Sequence, residues 1–239
     1  SLPNMKVSII LPTYNRVKML DGAISSVLDQ RFTDWELIIV NDGSTDETAS
    51  YLTDLAHKDD RLKVVHLPQN RKIPNALNTG FTLAKGEYFT WTSDDNRYHP
   101  TALSELVAFL DSHCEYGAVV AGMNFISEDG KKLGTFSPLP VSHLATTNIG
   151  GACFLYRQNW IRLSQVAKIG NIHHVLYDYT IHDGSLSETF LTEKFAVVER
   201  LLNRYLTKVD WKDSKQLAKG YLIKARYELN YGTLSRFYA

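Results

Sequence analysis

Between residues 6 and 110, short continuous apolar runs alternate with segments whose apolar residues recur at helical spacing. Strands that alternate with helices indicate βαβ units in a mostly parallel sheet, covered by helices on both faces. The predicted strands are Lys6–Leu11, Trp35–Val40, Leu62–Leu67 and Glu87–Thr92. The predicted helices are Val17–Leu28, a second that begins at Ser44, Ile73–Leu83 and Pro100–Leu110.

Local signals predict where two of these helices start or stop. Ser44 is followed three residues later by Glu47, a capping-box pattern that predicts a helix start at Ser44. Gly86 follows the third helix and is expected to stop it.

Beyond residue 110 the regular alternation ends. The pattern predicts a strand at Ala118–Ala121, a hairpin at Met123–Thr135 that turns at Glu128–Gly130, and a strand at Gly150–Tyr156. Amphipathic spacing then predicts two helices near the end of the sequence, Glu193–Thr207 and Ser214–Leu229.

The composition is that of an ordinary globular protein, with 44% hydrophobic and 22% charged residues among 239. Lysine plus arginine equals aspartate plus glutamate at 26 each, which argues against a broad nucleic-acid surface, because phosphate binding needs excess positive charge. Cys114 and Cys153 form no CxxC pair, so we expect buried thiols in a reducing compartment. No apolar run approaches the roughly 20 residues of a membrane helix, and no signal peptide is expected.

Polar residues gather directly after three of the four predicted strands. Pro12–Arg16 follows the first strand, Asn41–Asp46 the second and Ser93–Asn96 the fourth. Ligands of open α/β sheets bind outside the carboxyl ends of the strands. If these strands are parallel, the three clusters therefore face the same crevice.

Asp94 and Asp95 are adjacent carboxylates at the end of a buried strand, where their mutual repulsion requires a counter-charge. Mg²⁺ or Mn²⁺ binds one or two carboxylates and completes its shell with water and phosphate oxygens. Such an ion would also neutralise the charge on a departing diphosphate. The alternative for an isolated pair is a helix cap or a turn, but the two neighbouring polar strand ends favour the metal.

Two further candidates follow the second and third strands. Asp42 occupies a position where an acidic residue often binds a ribose or a base, although the turn Asn41–Gly43 is its alternative role. Arg71 and Lys72 precede Pro74, and the planar fork of arginine suits a diphosphate. Solvated loop charges are the alternative for this pair.

These motifs also carry a family resemblance. Val7–Arg16 resembles the opening of the family 2 glycosyltransferases of the GT-A fold, and Val40–Asp46 resembles their second signature. Ser93–Asn96 looks like their metal-binding DxD-type motif, with asparagine in place of the final acid. Four spaced residues match the pattern around their third helix: Asn70, Ala76, Asn78 and Gly80.

The resemblance implies an α/β fold of the GT-A type, a Rossmann-like, mostly parallel sheet flanked by helices. The expected parts are a nucleotide-sugar-binding half at residues 1–98, an acceptor-side half of the same domain at 99–191, and a C-terminal helical tail at 192–239. The implied reaction moves a sugar from a nucleotide-diphosphate donor, such as a UDP-sugar, to a hydroxyl of a glycan or glycolipid acceptor, usually with inversion.

The resemblance also implies residue roles. Thr13 and Asp42 would hold the nucleoside, with Asp42 on the base, and Arg71 would lie near the base or diphosphate. The nucleotide-sugar-binding residues are expected to be Pro12, Thr13, Tyr14, Asp42, Arg71 and Asp94. Asp95 and His182 are expected to bind the divalent metal, Mn²⁺ or Mg²⁺. His182 lies in Tyr179–Ser187, which resembles a late family motif, and a structural role is its alternative.

Inverting transfer needs a general base that takes the proton from the acceptor hydroxyl. The family usually places this base in a Glu-Asp motif between an acceptor-side strand, which Gly150–Arg157 resembles, and a helix that Trp160–Leu163 resembles. Only Gln158 and Asn159 lie between them. One explanation is that the protein naturally lacks the segment between Asn159 and Trp160. The other, which we favour, is that residues that belong there are missing from this sequence. No catalytic base is therefore assigned.

Two functions therefore stay open: an active glycosyltransferase, and a non-catalytic nucleotide-sugar-binding protein of the same fold. A sugar nucleotidyltransferase is disfavoured because Pro12–Arg16 contains no glycine, and a phosphoacceptor domain because its acid pair would come early in the chain. The expected partners are the donor and the acceptor, without nucleic acid. The expected setting is cell-envelope polysaccharide synthesis in the cytoplasm, with a peripheral contact at the inner face of the membrane left open.

Overall fold

The computed structural model describes residues 5–138, 152–158 and 168–182, and the fold is given for these ranges. The chain divides into two compact units, residues 1–140 with 150–180 and residues 141–149 with 181–239. Nearly all described residues belong to the first unit. The two predicted C-terminal helices lie outside the described residues, and the boundaries at residues 98 and 191 stay predictions.

The first part of the chain alternates strands and helices, as the apolar pattern predicts. Its elements are β1 (Val7–Thr13), α1 (Val17–Leu28), β2 (Trp35–Asn41), α2 (Thr48–Ala56), β3 (Leu62–His66), α3 (Lys72–Leu83) and β4 (Tyr88–Trp91). The four strands pair in parallel in the order β3-β2-β1-β4, so their carboxyl ends lie along one edge of the sheet.

The later elements extend this sheet with antiparallel strands. They are β5 (Arg97–Tyr98), α4 (Ala102–Ser112), β6 (Tyr116–Ser127), β7 (Lys132–Phe136), β8 (Phe154–Arg157) and β9 (Lys168–Ile181). Within the described ranges the order continues from β4 through β8, β6 and β9 to β5, with β7 paired to β6. β8 is antiparallel to both β4 and β6, so it joins the two parts of the sheet.

Alternate residues of the central strands face two separate apolar layers. Ile9 and Leu11 of β1 belong to the larger core cluster, which also contains Leu106 of α4. Ile10 faces the other side, in a smaller cluster with Ala76 of α3. Burial on both faces explains why these strands read as continuous apolar runs rather than as alternating ones.

The helix boundaries partly differ from the sequence expectations. α1 has the predicted bounds, but α2 begins at Thr48 and the predicted capping box does not form. The hydroxyl of Ser44 instead accepts a hydrogen bond from the backbone N–H of Asn15 at 2.9 Å. The carboxylate of Asp46 accepts one from the backbone N–H of Thr48 at 3.0 Å, so Asp46 satisfies a free N–H at the start of α2.

α3 ends at Leu83, the predicted last residue, but the extended Ala84 ends it and not Gly86, the expected stop. Gly86 has a different use, because a Cβ atom at this position would lie 2.6 Å from the backbone nitrogen of Ser8. The predicted hairpin is confirmed by the β6–β7 pairing, with Gly130 at φ +82° in its turn. Among the described residues, no helix is long and apolar enough to cross a membrane.

Candidate functional site

The carboxyl ends of β1, β2 and β4 lie next to one another. Thr13 is in register with Asn41, and the backbone N–H of Asp42 donates to the carbonyl of Thr13 at 2.9 Å. On the other side of β1, the backbone N–H of Thr92 donates to the carbonyl of Ile10 at 2.9 Å. Ser93–Asn96 follow directly after Thr92, so they begin beside the end of β1. The sheet thus gathers polar segments that are far apart in sequence.

Asp94 is directly bonded to the end of β1. The hydroxyl of Thr13 donates to a carboxylate oxygen of Asp94 at 2.8 Å, and both side chains are buried. Burial, together with the negative charge of Asp95, raises the pKa of Asp94 to about 6, although Thr13 and Arg16 act in the opposite direction. The environment of Asp94 therefore favours an additional positive charge.

The carboxylate of Asp95 is paired with the guanidinium group of Arg16, which follows β1. A guanidinium nitrogen of Arg16 lies 3.5 Å from a carboxylate oxygen of Asp95. The backbone carbonyl of Asp95 accepts a hydrogen bond from the hydroxyl of Thr180 on β9. These contacts hold Asp95 from both sides, through its side chain and through its backbone.

Asn96 stabilises the acidic loop rather than extending the row of carboxylates. Its side chain is 2% exposed, and its oxygen accepts the backbone N–H of Thr180 at 2.9 Å. The side-chain oxygen of Asn96, the residue that replaces the final acid of the motif, is therefore used in a hydrogen bond to the backbone of β9.

Asp42 joins the second strand end to the third. A carboxylate oxygen of Asp42 accepts the backbone N–H of Arg71 at 2.9 Å. The neighbouring Gly43 has φ +72°, and a Cβ atom there would lie 2.5 Å from the backbone of Gln69, so the turn requires glycine. Arg71 is exposed, and its backbone rather than its side chain makes this contact.

The structure places the other predicted site residues as follows. Pro12 is buried within β1 opposite Val40, whereas Tyr14 is 41% exposed immediately beyond the strand. His182 is 8% exposed and belongs to the second compact unit, and its role at the metal stays a prediction. The expected segment between Asn159 and Trp160 lies outside the described residues.

The carboxylates present fit a hard divalent cation. Asp94 and Asp95 offer oxygen ligands from adjacent positions, and no group of three or more His, Cys, Asp or Glu side chains gathers in the described ranges. Mg²⁺ and Mn²⁺ often bind to one or two carboxylates together with water and substrate phosphates. The donor set therefore suits an ion whose remaining ligands come from the substrate.

The family model described as glycosyl transferase family 2 matches residues 8–163, which include all three strand-end motifs. The chain belongs to this family. The match confirms the resemblance that Val7–Arg16, Val40–Asp46 and Ser93–Asn96 carry in the sequence.

Relatives of this family member occur in several bacteria. EpsE of Bacillus subtilis, which carries the name of a glycosyltransferase, is 36% identical over 126 residues, or 52% of this chain and 45% of EpsE. The GalNAc(5)-diNAcBac-PP-undecaprenol beta-1,3-glucosyltransferase of Campylobacter jejuni is 36% identical over 133 residues, 55% of this chain and 42% of that enzyme. The matched region thus spans less than half the length of either relative.

Solved structures share the fold of the family member. TarS residues 1–349 of S. aureus match with a TM-score of 0.72 at 19% identity, covering 98% of this chain and 74% of that one. The mannosyltransferase PcManGT of Pyrobaculum calidifontis, in complex with GDP-Man and Mn²⁺, matches with a TM-score of 0.64 at 16% identity, covering 94% and 69%. These similarities confirm the predicted GT-A type of α/β fold.

Two residues of the site, Arg16 and Thr180, have no role predicted from the sequence. Arg16 ends a recognised motif but carries no predicted role, and Thr180 lies on an unpredicted strand. A signal for Arg16 existed, because a cation at one polar strand end complements the acid pair at another. Thr180 lies within Tyr179–Ser187, the segment that resembles a late family motif, but its two contacts involve residues more than eighty positions away and have no local signal.

Proposed function

We propose that this protein transfers a sugar from a nucleotide-diphosphate donor, with UDP-sugars as the first candidates, to a hydroxyl of a glycan or glycolipid. The observation that carries the proposal is the hydrogen bond between Thr13 and Asp94, which joins the family motifs of β1 and β4 around the acid pair. The UDP-GlcNAc complex of TarS, a protein with the same fold, supports the donor class.

The residues have separate roles in this proposal. Asp42 accepts hydrogen bonds from the base with the carboxylate oxygen that does not bind Arg71, and Thr13, Pro12 and Tyr14 form the neighbouring wall. Arg71 supplies positive charge to the base or diphosphate. Asp94 lies near the ribose, and the raised pKa of its carboxyl fits a group that gains stability when cations enter the site.

Asp95, with His182 as the second expected ligand, would hold Mn²⁺ or Mg²⁺. When bound, the ion stabilises the negative charge of the diphosphate leaving group. Inversion at the anomeric carbon is part of the proposal, and its general base is expected in the segment between Asn159 and Trp160. We place the reaction in the cytoplasm, in cell-envelope polysaccharide synthesis, in line with the undecaprenol-linked substrate named for the Campylobacter jejuni relative.

The first test is a thermal-shift screen of UDP-sugars, GDP-mannose and dTDP-sugars with and without Mn²⁺. A true donor raises the melting temperature by mass action, because it binds the folded protein alone. For at least one donor, we expect the melting temperature of the wild type to rise only when Mn²⁺ is present. The Asp95→Asn variant should not show this rise. Asp54→Asn, an exposed change on α2, is the matched control and should keep the full shift. If no donor shifts the wild type, the proposal fails.

A non-catalytic nucleotide-sugar-binding protein is the second candidate. Gln158 and Asn159 directly precede Trp160, which leaves no room for the expected Glu-Asp motif. Turnover separates the two candidates, since both bind the donor. Release of nucleoside diphosphate from the donor identified in the screen, measured by coupled assay, supports the enzyme; donor binding without hydrolysis or transfer supports the second candidate.

A further inference from the structure

Two loops of the candidate site are connected by side-chain hydrogen bonds. The first loop is Tyr14–Arg16, after β1, and the second loop is Asp42–Thr45, after β2. The backbone N–H of Asn15 donates to the hydroxyl of Ser44 at 2.9 Å, and the backbone N–H of Thr45 donates to the side-chain oxygen of Asn15 at 2.7 Å. The position of the second loop therefore determines that of the first, which ends at Arg16.

The second loop depends in turn on the orientation of one buried amide. Asn41 is 2% exposed, and its side-chain oxygen accepts the backbone N–H of Ser44 at 3.0 Å. A backbone N–H can only donate, so this contact must be made by the oxygen of Asn41 and not by its NH₂ group. The NH₂ group of Asn41 then needs an acceptor of its own.

His66, at the end of β3, supplies that acceptor. Nδ1 of His66 lies 3.0 Å from the NH₂ nitrogen of Asn41, and Nε2 lies 3.3 Å from the hydroxyl oxygen of Thr53 on α2. The NH₂ group of Asn41 can only donate, so Nδ1 must carry no proton. The hydroxyl proton of Thr53 is committed to the carbonyl of Ala49 at 2.8 Å, so Nε2 must donate to Thr53.

These contacts select one form of the imidazole. Protonated Nδ1 would face the NH₂ group of Asn41 with a second donor, and rotation of the amide to relieve this would direct NH₂ at the N–H of Ser44. The hydrogen-bond partners of the ring are the uncharged Asn41 from β2 and Thr53 from α2, the exposed residue is otherwise open to solvent, and no ion pair to His66 occurs within the described ranges.

We propose that His66 is a positioning residue for the candidate donor site, and that its neutral Nε2–H tautomer holds both loops through Asn41 and Ser44. His66 acts through Asn41 and does not itself touch the donor. The inference rests on the proposed function for its effect on ligand affinity, whereas the tautomer can be measured without any ligand.

The first measurement is the long-range ¹H–¹⁵N spectrum of the histidine rings in the full chain at about pH 8, above the ordinary histidine pKa of about 6.5. The chain contains 8 histidines, and the signal that the His66→Asn variant lacks is that of His66. We expect the pattern of the neutral Nε2–H tautomer. A dominant Nδ1–H tautomer, or a mixture typical of a ring free in solvent, would overturn the proposal.

The second measurement is UDP affinity in the presence of Mn²⁺, by calorimetry. The side-chain oxygen of asparagine can replace Nδ1 as an acceptor, so His66→Asn should keep the wild-type affinity within about twofold. His66→Leu offers no acceptor and should weaken UDP binding about fivefold, which corresponds to one neutral hydrogen bond. Equal affinities for the asparagine and leucine variants would contradict the positioning role.

Two controls keep the outcomes separate. If wild-type protein does not bind UDP, the UDP-sugar form of the proposed function fails, and the tautomer measurement still decides the present proposal. If His66→Leu does not fold, Thr53→Val replaces it, because valine keeps the shape of threonine and removes the acceptor of Nε2–H. His66 and Thr53 are exposed, so water can accept the Nε2–H in place of the hydroxyl, and Asn41 still faces Nδ1. Thr53→Val should therefore keep the Nε2–H tautomer and the wild-type UDP affinity within about twofold; a rise in the Nδ1–H tautomer would show that Asn41 does not select the tautomer and would overturn the proposal.

Discussion

Glu36 is a fully buried carboxylate on β2 that three donors surround. The hydroxyl of Ser8 and the backbone N–H of Lys85 donate to it at 2.5 and 2.7 Å, and the ammonium group of Lys63 pairs with it. Burial by itself would raise the pKa of Glu36, but these donors outweigh it and hold the pKa below its ordinary value. The buried charge is therefore stabilising in its native surroundings.

Glu36→Gln should lower the free energy of unfolding at neutral pH by about 1–3 kcal/mol, because the amide loses charge-assisted hydrogen bonds. A carboxylate with a lowered folded pKa stabilises the protein above its unfolded pKa of about 4.3, and this contribution is lost as the pH falls through the folded value. The difference between variant and wild type should therefore shrink below about pH 4. Urea unfolding of both proteins between neutral pH and about pH 3 measures this difference, with Glu47→Gln at an exposed position as the control. A difference in unfolding free energy that does not change with pH would contradict the mechanism.

At the same scale, the sequence predicts the acid pair better than its surroundings. Asp94 and Asp95 are recognisable because they follow a buried strand beside two other polar strand ends. The partner of Asp95 is not recognisable in this way, because the Arg16 contact depends on the turn at Asn15, whose φ is +53°. The same holds for Asn41 and His66, whose contact follows from the register of β2 with β3 and not from a motif.

Among the elements, α3 packs closely on the sheet at Gly80, which has no side chain to hinder the approach. A Cβ atom at Gly80 would lie 2.4 Å from the Cγ2 atom of Ile10, which is fully buried in β1. A Cβ atom at Gly22 of α1 would also be too close to a neighbour, but that neighbour is the guanidinium end of the exposed Arg97, at 2.4 Å. The two helical glycines thus differ in whether the neighbour can move.

Gly80→Ala should lower the free energy of unfolding by about 1–3 kcal/mol, because α3 or Ile10 must shift within a close-packed layer. Gly22→Ala should be neutral or stabilising by up to about 1 kcal/mol, since Arg97 can move and alanine favours the helix. Chemical denaturation of both variants makes the comparison. Equal effects of the two substitutions would mean that the contact with Ile10 does not limit the position of α3.

The parallel strands and their helices were predictable because each is a local apolar pattern of sufficient length. β9 was not predicted, since its residues include Gly170, Asn171 and the adjacent His173 and His174, which interrupt a regular alternation. β5 comprises two residues and exists through its pairing with β9. The start of α2 was misplaced because Ser44 is used by the first loop, a long-range contact that competes with local capping.

On the scale of the whole first unit, the parallel and antiparallel strands share one core. Leu11 of β1 and Leu155 of β8 are both fully buried in the same cluster, and β8 connects β4 to β6. If the donor-side and acceptor-side halves had separate stabilities, their buried side chains would form two separate cores rather than one shared core. The sheet instead predicts that residues 5–138, 152–158 and 168–180 unfold as one cooperative unit.

Leu155→Ala tests this cooperativity, because the cavity should lower the free energy of unfolding by about 2–5 kcal/mol. Leu133→Ala on β7, where the side chain is 54% exposed, is the matched control and should change stability by less than about 0.5 kcal/mol. Hydrogen exchange under conditions of global unfolding then reports where protection is lost. If the sheet unfolds as one unit, Leu155→Ala lowers protection in β1 and β2 as much as in β6, since all of them exchange through the same opening. Unchanged protection in β1 would show instead that the donor-side strands fold independently of β8, and the donor site could then be studied in isolation from the acceptor-side strands.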